Sequence, residues 1–293
     1  MGLSAAAIKL NLDLWQRGLL NNYNSVVDLG SQELHLRLSE FEELVDAAGI
    51  SDYDKSQFAA LANWPASPRC SAKPFYALLG LKEYSCVDMN REHDSIPIDL
   101  SVPLDQSDLY GRFDLVTDHG TNEHVFNVAE AYRTMHRLCK KQGMLMICQT
   151  VWGGNGYYNF DSSFFEGLAA ANGYEVLFAS YILTTREAAP DGRMGQFHLP
   201  LARELVTAFD WSRINQIGIC YVFLKTSEAD FQYPYQGSYL AQKQGHYGYT
   251  LQFLPEPPRR TYLPVYDATN MPIATKELAK MLYRRVIAKF FRS

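Results

Sequence analysis

Two residues in the middle of the chain, Asp118 and His119, follow the apolar run Phe113-Asp114-Leu115-Val116-Thr117 and precede Gly120. That order leaves a carboxyl and an imidazole at the end of a strand, beside a turn. An imidazole so placed can take or give a proton near neutral pH. Three further acids stand in comparable places: Asp28 in Val26-Val27-Asp28-Leu29-Gly30, Asp88 after Tyr84-Ser85-Cys86-Val87, and Asp99 in Ile96-Pro97-Ile98-Asp99-Leu100. Acids at successive strand ends suit ribose hydroxyls, and Gly30 suits a tight turn against which a ligand can lie. A dinucleotide would need G-x-G-x-x-G for close approach of backbone to its pyrophosphate. Here Gly30 is followed by Ser31 and Gln32, which disfavours a nicotinamide oxidoreductase. Asp118, His119, Glu123 and His124 do not have the spacing of one recognised ligand set, so no metal is expected. Glu123 is expected to complement a helix N-terminus.

These residues need strands that carry them to one edge. Short apolar runs at 25–29, 84–88, 96–100, 113–117, 144–151, 175–182 and 217–224 read as seven strands. Helical spacing appears at 3–20, 53–64, 71–79 and 123–141, the last with Lys140-Lys141 at its C-terminal end and Gly143 closing it. Ser39-x-x-Glu42 reads as a capping box opening a helix that runs to Gly49, and Asp161 caps a helix over 162–172. Residues 31–38 read as a loop. Strands alternating with helices imply an α/β fold with a doubly wound, mostly parallel, seven-stranded sheet. Residues 184–215 are too long for a plain connection and read as a lid or wall of the pocket. The loop after the fifth strand, Trp152-Gly153-Gly154-Asn155-Gly156-Tyr157-Tyr158-Asn159-Phe160, offers Trp152, Tyr157 and Asn159 as substrate contacts.

Composition bounds the partners. The chain has 293 residues, 47% of them hydrophobic, and a formal charge of −5. With no basic block in the first two hundred residues, nucleic acid is not expected as the main partner; a small-molecule substrate is. Five scattered cysteines without a C-x-x-C pair read as reduced core thiols of a cytoplasmic protein. The start lacks the pattern of a signal peptide, and no apolar run reaches the roughly 18 residues of a membrane span. From residue 227 tyrosines and phenylalanines interleave with Gly, Gln and Pro, and 275–292 reads as a basic amphipathic helix. The expected division is therefore 1–226 and an extension, 227–293. The terminal helix is expected to pack on its own domain, with contact to an anionic membrane surface as the alternative.

Taken together and in order, these residues resemble class I S-adenosylmethionine-dependent methyltransferases, across roughly residues 1–226. Val26-Val27-Asp28-Leu29-Gly30 is similar to the family's first motif, Asp88 to the acid that grips the ribose, and Asp99-Leu100 to the position facing adenine. Phe113-Asp114-Leu115-Val116 with Glu123-His124-Val125 is similar to the fourth-strand motif and its helix, and Gly143 stands in place before the fifth strand. The resemblance implies a Rossmann-like fold, S-adenosylmethionine as cofactor, and His119 and Asp118 where methyl and acceptor meet. His119 is then the candidate base for a hydroxyl acceptor, with a glycan or a secondary metabolite as the classes in view. Gln32 stands where the family pattern has glycine, and 31–38 postpones the usual helix; Gln32 either contacts the methionine end of the cofactor or weakens its binding. The competing reading is a non-catalytic binding or assembly protein that retains the fold, with the aromatic extension as its interface.

Overall fold

The computed structural model describes residues 2–188, 194–202, 206 and 208–234. In chain order its regular elements are β1 (Gly2–Ser4), α1 (Ala5–Gln16), β2 (Ser25–Leu29), β3 (Glu33–His35), α2 (Leu38–Ala47), α3 (Lys73–Leu78), β4 (Glu83–Val87) and β5 (Phe113–His119). There follow α4 (Val128–Leu138), β6 (Cys139–Trp152), α5 (Ser162–Asn172), β7 (Glu175–Ala188), β8 (Met194–Pro200) and β9 (Ile214–Leu224). Seven strands form one sheet in the order β4-β2-β5-β6-β9-β7-β8. The pairs β4·β2, β2·β5 and β5·β6 are parallel, whereas β9 runs antiparallel to both β6 and β7, and β8 is antiparallel to β7. Five strands thus share one direction. This is the doubly wound, Rossmann-like α/β sheet expected from the sequence.

Period-two alternation gives the sheet two apolar faces. Val26, Leu115, Met144, Met146 and Val222 face one core with Ile8 of α1, Phe41 of α2 and Phe75 of α3. Val27, Val116, Ile147 and Tyr221 face the other, with Met135 of α4 and Phe165 of α5. Helices on both sides explain why β2 and β5 read as unbroken apolar runs. After β2 the chain moves to β4 on one side of it and then to β5 on the other. Their carboxyl ends therefore flank a topological switch point, where ligands of open α/β sheets bind.

Several expectations are corrected. The segment 31–38 is not a loop: it contains β3, which pairs in parallel with β1, Leu3 opposite Leu34. The helix expected over 3–20 is shortened at its start because residues 2–4 are taken by that pairing. α2 begins at Leu38 with Arg37 as N-cap and no side-chain cap bond, so Ser39 and Glu42 make no capping box. The helix expected over 53–64 is a 3-10 helix, Lys55–Asn63, capped by Asp54. The strand expected at 96–100 shrinks to a single parallel bridge between Val87 and Ile96; the seventh strand of the sheet is β8, from within 184–215.

The helix expected over 123–141 is a 3-10 turn, Asn122–His124, followed by α4. Lys140 and Lys141 lie in β6, and the carbonyls at the end of α4 are met instead by Gly111 N and Arg112 N, which donate to Arg137 O and Leu138 O at 2.7 and 3.1 Å, and by Lys225, whose Nζ donates to His136 O and to Cys139 O just beyond at 2.8 Å each. α5 has the expected bounds, with Asp161 accepting from Ser163 N. Residues 227–234, the described start of the extension, lie on this domain: Phe231 is buried in the α4/α5 core and Gln232 N donates to Asn172 Oδ1 at 2.8 Å. The tyrosine-rich remainder and the basic helix at 275–292 lie outside the described residues. Among the described residues no helix is long and apolar enough to cross a membrane.

Candidate active site

The turn after β2 begins with Gly30 at φ +81, a left-handed conformation that a side chain resists. Its N–H donates to Val87 O at 2.8 Å, tying the ends of β2 and β4. Ser31 continues the tie: its N and Oγ both donate to Asp88 Oδ2 at 3.0 Å, while Asn90 N donates to Oδ1 at 3.1 Å. Gln32 is fully buried. Its Nε2 donates to Leu29 O at 2.7 Å and to Thr121 Oγ1 at 2.9 Å, so it bridges the turns after β2 and β5 across the switch point. Its Oε1 is buried without a partner. Leu100 is buried in the cluster that holds Leu29 and Val87, and Asp99 is exposed, accepting from Ser101 N at 2.8 Å.

Asp28 lies lower, wholly inside the sheet. Tyr76 of α3 and Thr117 of β5 donate to its Oδ1, and Tyr84 of β4 donates to Oδ2 at 2.9 Å. Burial raises its pKa against the lowering effect of these bonds and of His119.

Asp118 and His119 are neighbours in β5 and so project to opposite faces. Asp118 accepts from Thr121 N at 2.9 Å, from Asn122 N at 3.3 Å and from Gln149 Nε2. Complete burial pushes its carboxyl up to about 7. His119 instead faces a cleft of about 780 Å³ at the carboxyl ends of β5 and β6, a volume suited to a small molecule. Both of its ring nitrogens are buried without a hydrogen-bond partner. Burial alone would lower its pKa, but Cys148 beside it, with the charges of Asp28 and Asp118, raises it on balance.

The cleft is walled on one side by β1, the start of α1 and the segment His35-Leu36-Arg37, which ends β3 and leads to α2. The departure at 31–38 thus builds a wall. Thr150 at the end of β6 also lines it, held by Glu123, whose Oε2 accepts from Thr150 N at 2.7 Å and Oε1 from Thr150 Oγ1 at 3.0 Å. Glu123 therefore does not complement the N-terminus of a long helix, as expected; it anchors the β6 edge. Gln149, Gln216 and Asn155 add amides able to bond a neutral polar ligand.

Of the catalytic, cofactor and substrate residues expected from sequence, His119 lines this cleft, and its neighbours Gly120, Glu123 and His124 line it too. Asp28, Gly30, Gln32, Asp88 and Leu100 gather around the adjoining turns, with Asp99 on the exposed side of Leu100. Trp152 is 41% exposed and meets Trp211 edge-on at 5.4 Å, Tyr157 is 72% exposed against Phe126, and Asn159 is exposed. None of the three lines the cleft; Asn155 of the same loop does. Thr150, Cys148 and Gln216 were missed, having no motif, although their strand-end positions were visible. Among the described residues no three His, Cys, Asp or Glu side chains are grouped to hold a metal ion.

No protein-family model and no curated protein matches the sequence. Among solved structures the chain is similar to a 1,6-didemethyltoxoflavin-N1-methyltransferase of Burkholderia thailandensis, crystallised with 1,6-didemethyltoxoflavin and S-adenosylhomocysteine. The identity is 13%, over 76% of this chain and 79% of that one, with a TM-score of 0.36. It is also similar to a SAM-dependent methyltransferase of Archaeoglobus fulgidus (11% identity, 74% and 94% covered, TM-score 0.36) and to a TehB-like one of Corynebacterium glutamicum (13%, 73% and 87%, 0.32). At these identities and scores the likeness carries no argument, and the fold stands on strand order and register.

Proposed function

We propose that the chain is a class I S-adenosylmethionine-dependent methyltransferase acting on a small-molecule acceptor, a hydroxyl of a glycan or secondary metabolite being the favoured class. One observation carries the reading: the turn at Gly30, bonded to the acid-bearing end of β4, lies at the switch point beside a cleft lined by the His119 imidazole. The cofactor would bring an already activated methyl group, so the protein's contribution is mainly positioning. In this reading Gly30 lets the ligand approach the backbone and Asp88 exchanges its bonds from Ser31 and Asn90 for ribose hydroxyls. Leu100 flanks adenine, and Asp28 holds the strand from which the turn springs. The unbonded Oε1 of Gln32 is an acceptor fit for the ammonium of the methionine end. His119 takes the acceptor's proton once it has lost its own; its raised pKa moves the appearance of the unprotonated form to higher pH.

A non-catalytic binding protein on the same fold is favoured by one feature, the Gln32 side chain that ties Leu29 to Thr121 where the family pattern has glycine. Calorimetric titration with S-adenosylmethionine separates the two. The methyltransferase reading expects a Kd on the order of micromolar, weakened about tenfold or more in Asp88→Ala. Absence of heat from wild-type protein that is folded by circular dichroism would overturn it in favour of the rival.

A further inference from the structure

The registers place His119, Cys148 and Cys220 in one row across three neighbouring strands: His119 of β5 pairs with Cys148 of β6, which pairs with Cys220 of β9. Directly opposed residues project to the same face. Their sulfurs meet there, Cys220 Sγ standing 3.1 Å from Cys148 Sγ. Cys148 is half-buried and, like His119, lines the cleft, whereas Cys220 behind it is fully buried. Opposed residues of antiparallel strands have Cα atoms about 4.5–5.5 Å apart, within the range a disulfide spans. The pair can therefore be bridged without moving either strand.

We propose that Cys148 and Cys220 form a peroxide-reactive dithiol in the cleft floor, Cys148 being the attacking thiolate and Cys220 the thiol that resolves it. The inference is independent of the methyl-transfer reading. Cys148 attacks one oxygen of hydrogen peroxide or an organic hydroperoxide. The O–O bond breaks, Cys148 is oxidised to a sulfenic acid, and the departing oxygen leaves with the proton of His119 as water or alcohol. Cys220 sulfur then attacks Cys148 sulfur, the S–S bond forms, and the sulfenic hydroxyl leaves with the Cys220 proton as water.

The other cysteines lack this setting. Burial pushes the thiols of Cys70 and Cys86 up to about 11 and that of Cys139 up to about 12. Cys148 is drawn down to about 5, first by its hydrogen bond with Cys220 and, against burial, by His119, with the charge of His198 adding to it. A thiolate that is stabilised and reachable is the form that reacts.

The test uses the intact chain, treated with hydrogen peroxide and mapped by mass spectrometry under non-reducing conditions. A linked pair of peptides carrying Cys148 and Cys220, two hydrogens lighter and released by dithiothreitol, is expected. In Cys220→Ala the same treatment should leave Cys148 as a dimedone-reactive sulfenic acid. Iodoacetamide at pH 6 should label wild-type Cys148 about tenfold or more faster than Cys70, Cys86 or Cys139. Wild-type protein in which both Cys148 and Cys220 stay alkylatable after peroxide, or in which Cys148 is not labelled ahead of the other three, would overturn the proposal. Both wild-type readouts stand even if the variant fails to fold.

Discussion

Replacing Asp28 by alanine is expected to lower the free energy of unfolding by about 3–5 kcal/mol, because the change strips the acceptor from three buried or half-buried hydroxyls at once. Tyr76, Tyr84 and Thr117 converge on this one carboxyl from α3, β4 and β5. Without it each hydroxyl keeps the cost of leaving water and loses its partner. Asp28→Asn keeps an acceptor for Tyr76 and Thr117, and the Tyr84 hydroxyl can rotate to accept from the new amide. It should cost about 1–2 kcal/mol. Urea unfolding at neutral pH, comparing midpoints at equal slope, reads both. A midpoint for Asp28→Ala within error of wild type would show that the three hydroxyls find other partners and that Asp28 is free for a ligand.

The second large effect is a pH dependence set by Asp118. Its folded pKa is about 7 against an ordinary 3.8, and the cause is burial. Between those values the folded protein holds a proton that the unfolded chain releases. The stabilisation is therefore complete below about pH 4, is lost progressively as pH rises toward 7, and changes no further above it. One pKa unit corresponds to about 1.4 kcal/mol, so the whole swing is roughly 4 kcal/mol. Asp118→Asn removes the titration and leaves a neutral group. The Gln149 Oε1, buried without a partner, can accept from the Asn amide after the Gln149 amide turns over. The variant is expected to lose less urea resistance than wild type between pH 5 and 8. Equal losses in the two proteins would place the titrating group elsewhere.

Much of the fold was legible because its signals are local. The unbroken apolar runs around Val26-Val27 and Leu115-Val116 announce strands covered on both faces, and the Asp161 cap with Gly173 at φ +65 fixes both ends of α5. β1 and β3 were not legible. Each has three residues, too few for a period to show, and each exists only because the other lies beside it. Lys225 escaped for a related reason: it meets the end of α4 from 86 residues away, measured to Cys139. Charge near a helix end in sequence, as at Lys140 and Lys141, could not reveal it.

The sequence by itself determined the doubly wound sheet, the turn at Gly30 and the acid at the end of β4, since strand runs and turn residues are set by backbone preference and burial within a few residues. Tertiary structure alone decided which polar side chains share a cavity. In a strand covered on both sides no hydrophobic alternation marks a face. Asp118 and His119 are therefore equivalent in sequence and opposite in space: one is locked behind the turn, the other opens on the cleft. The row His119–Cys148–Cys220 and the wall made by β1 and β3 belong to the same class. They depend on registers between distant segments, which packing of the whole sheet fixes and no local pattern records.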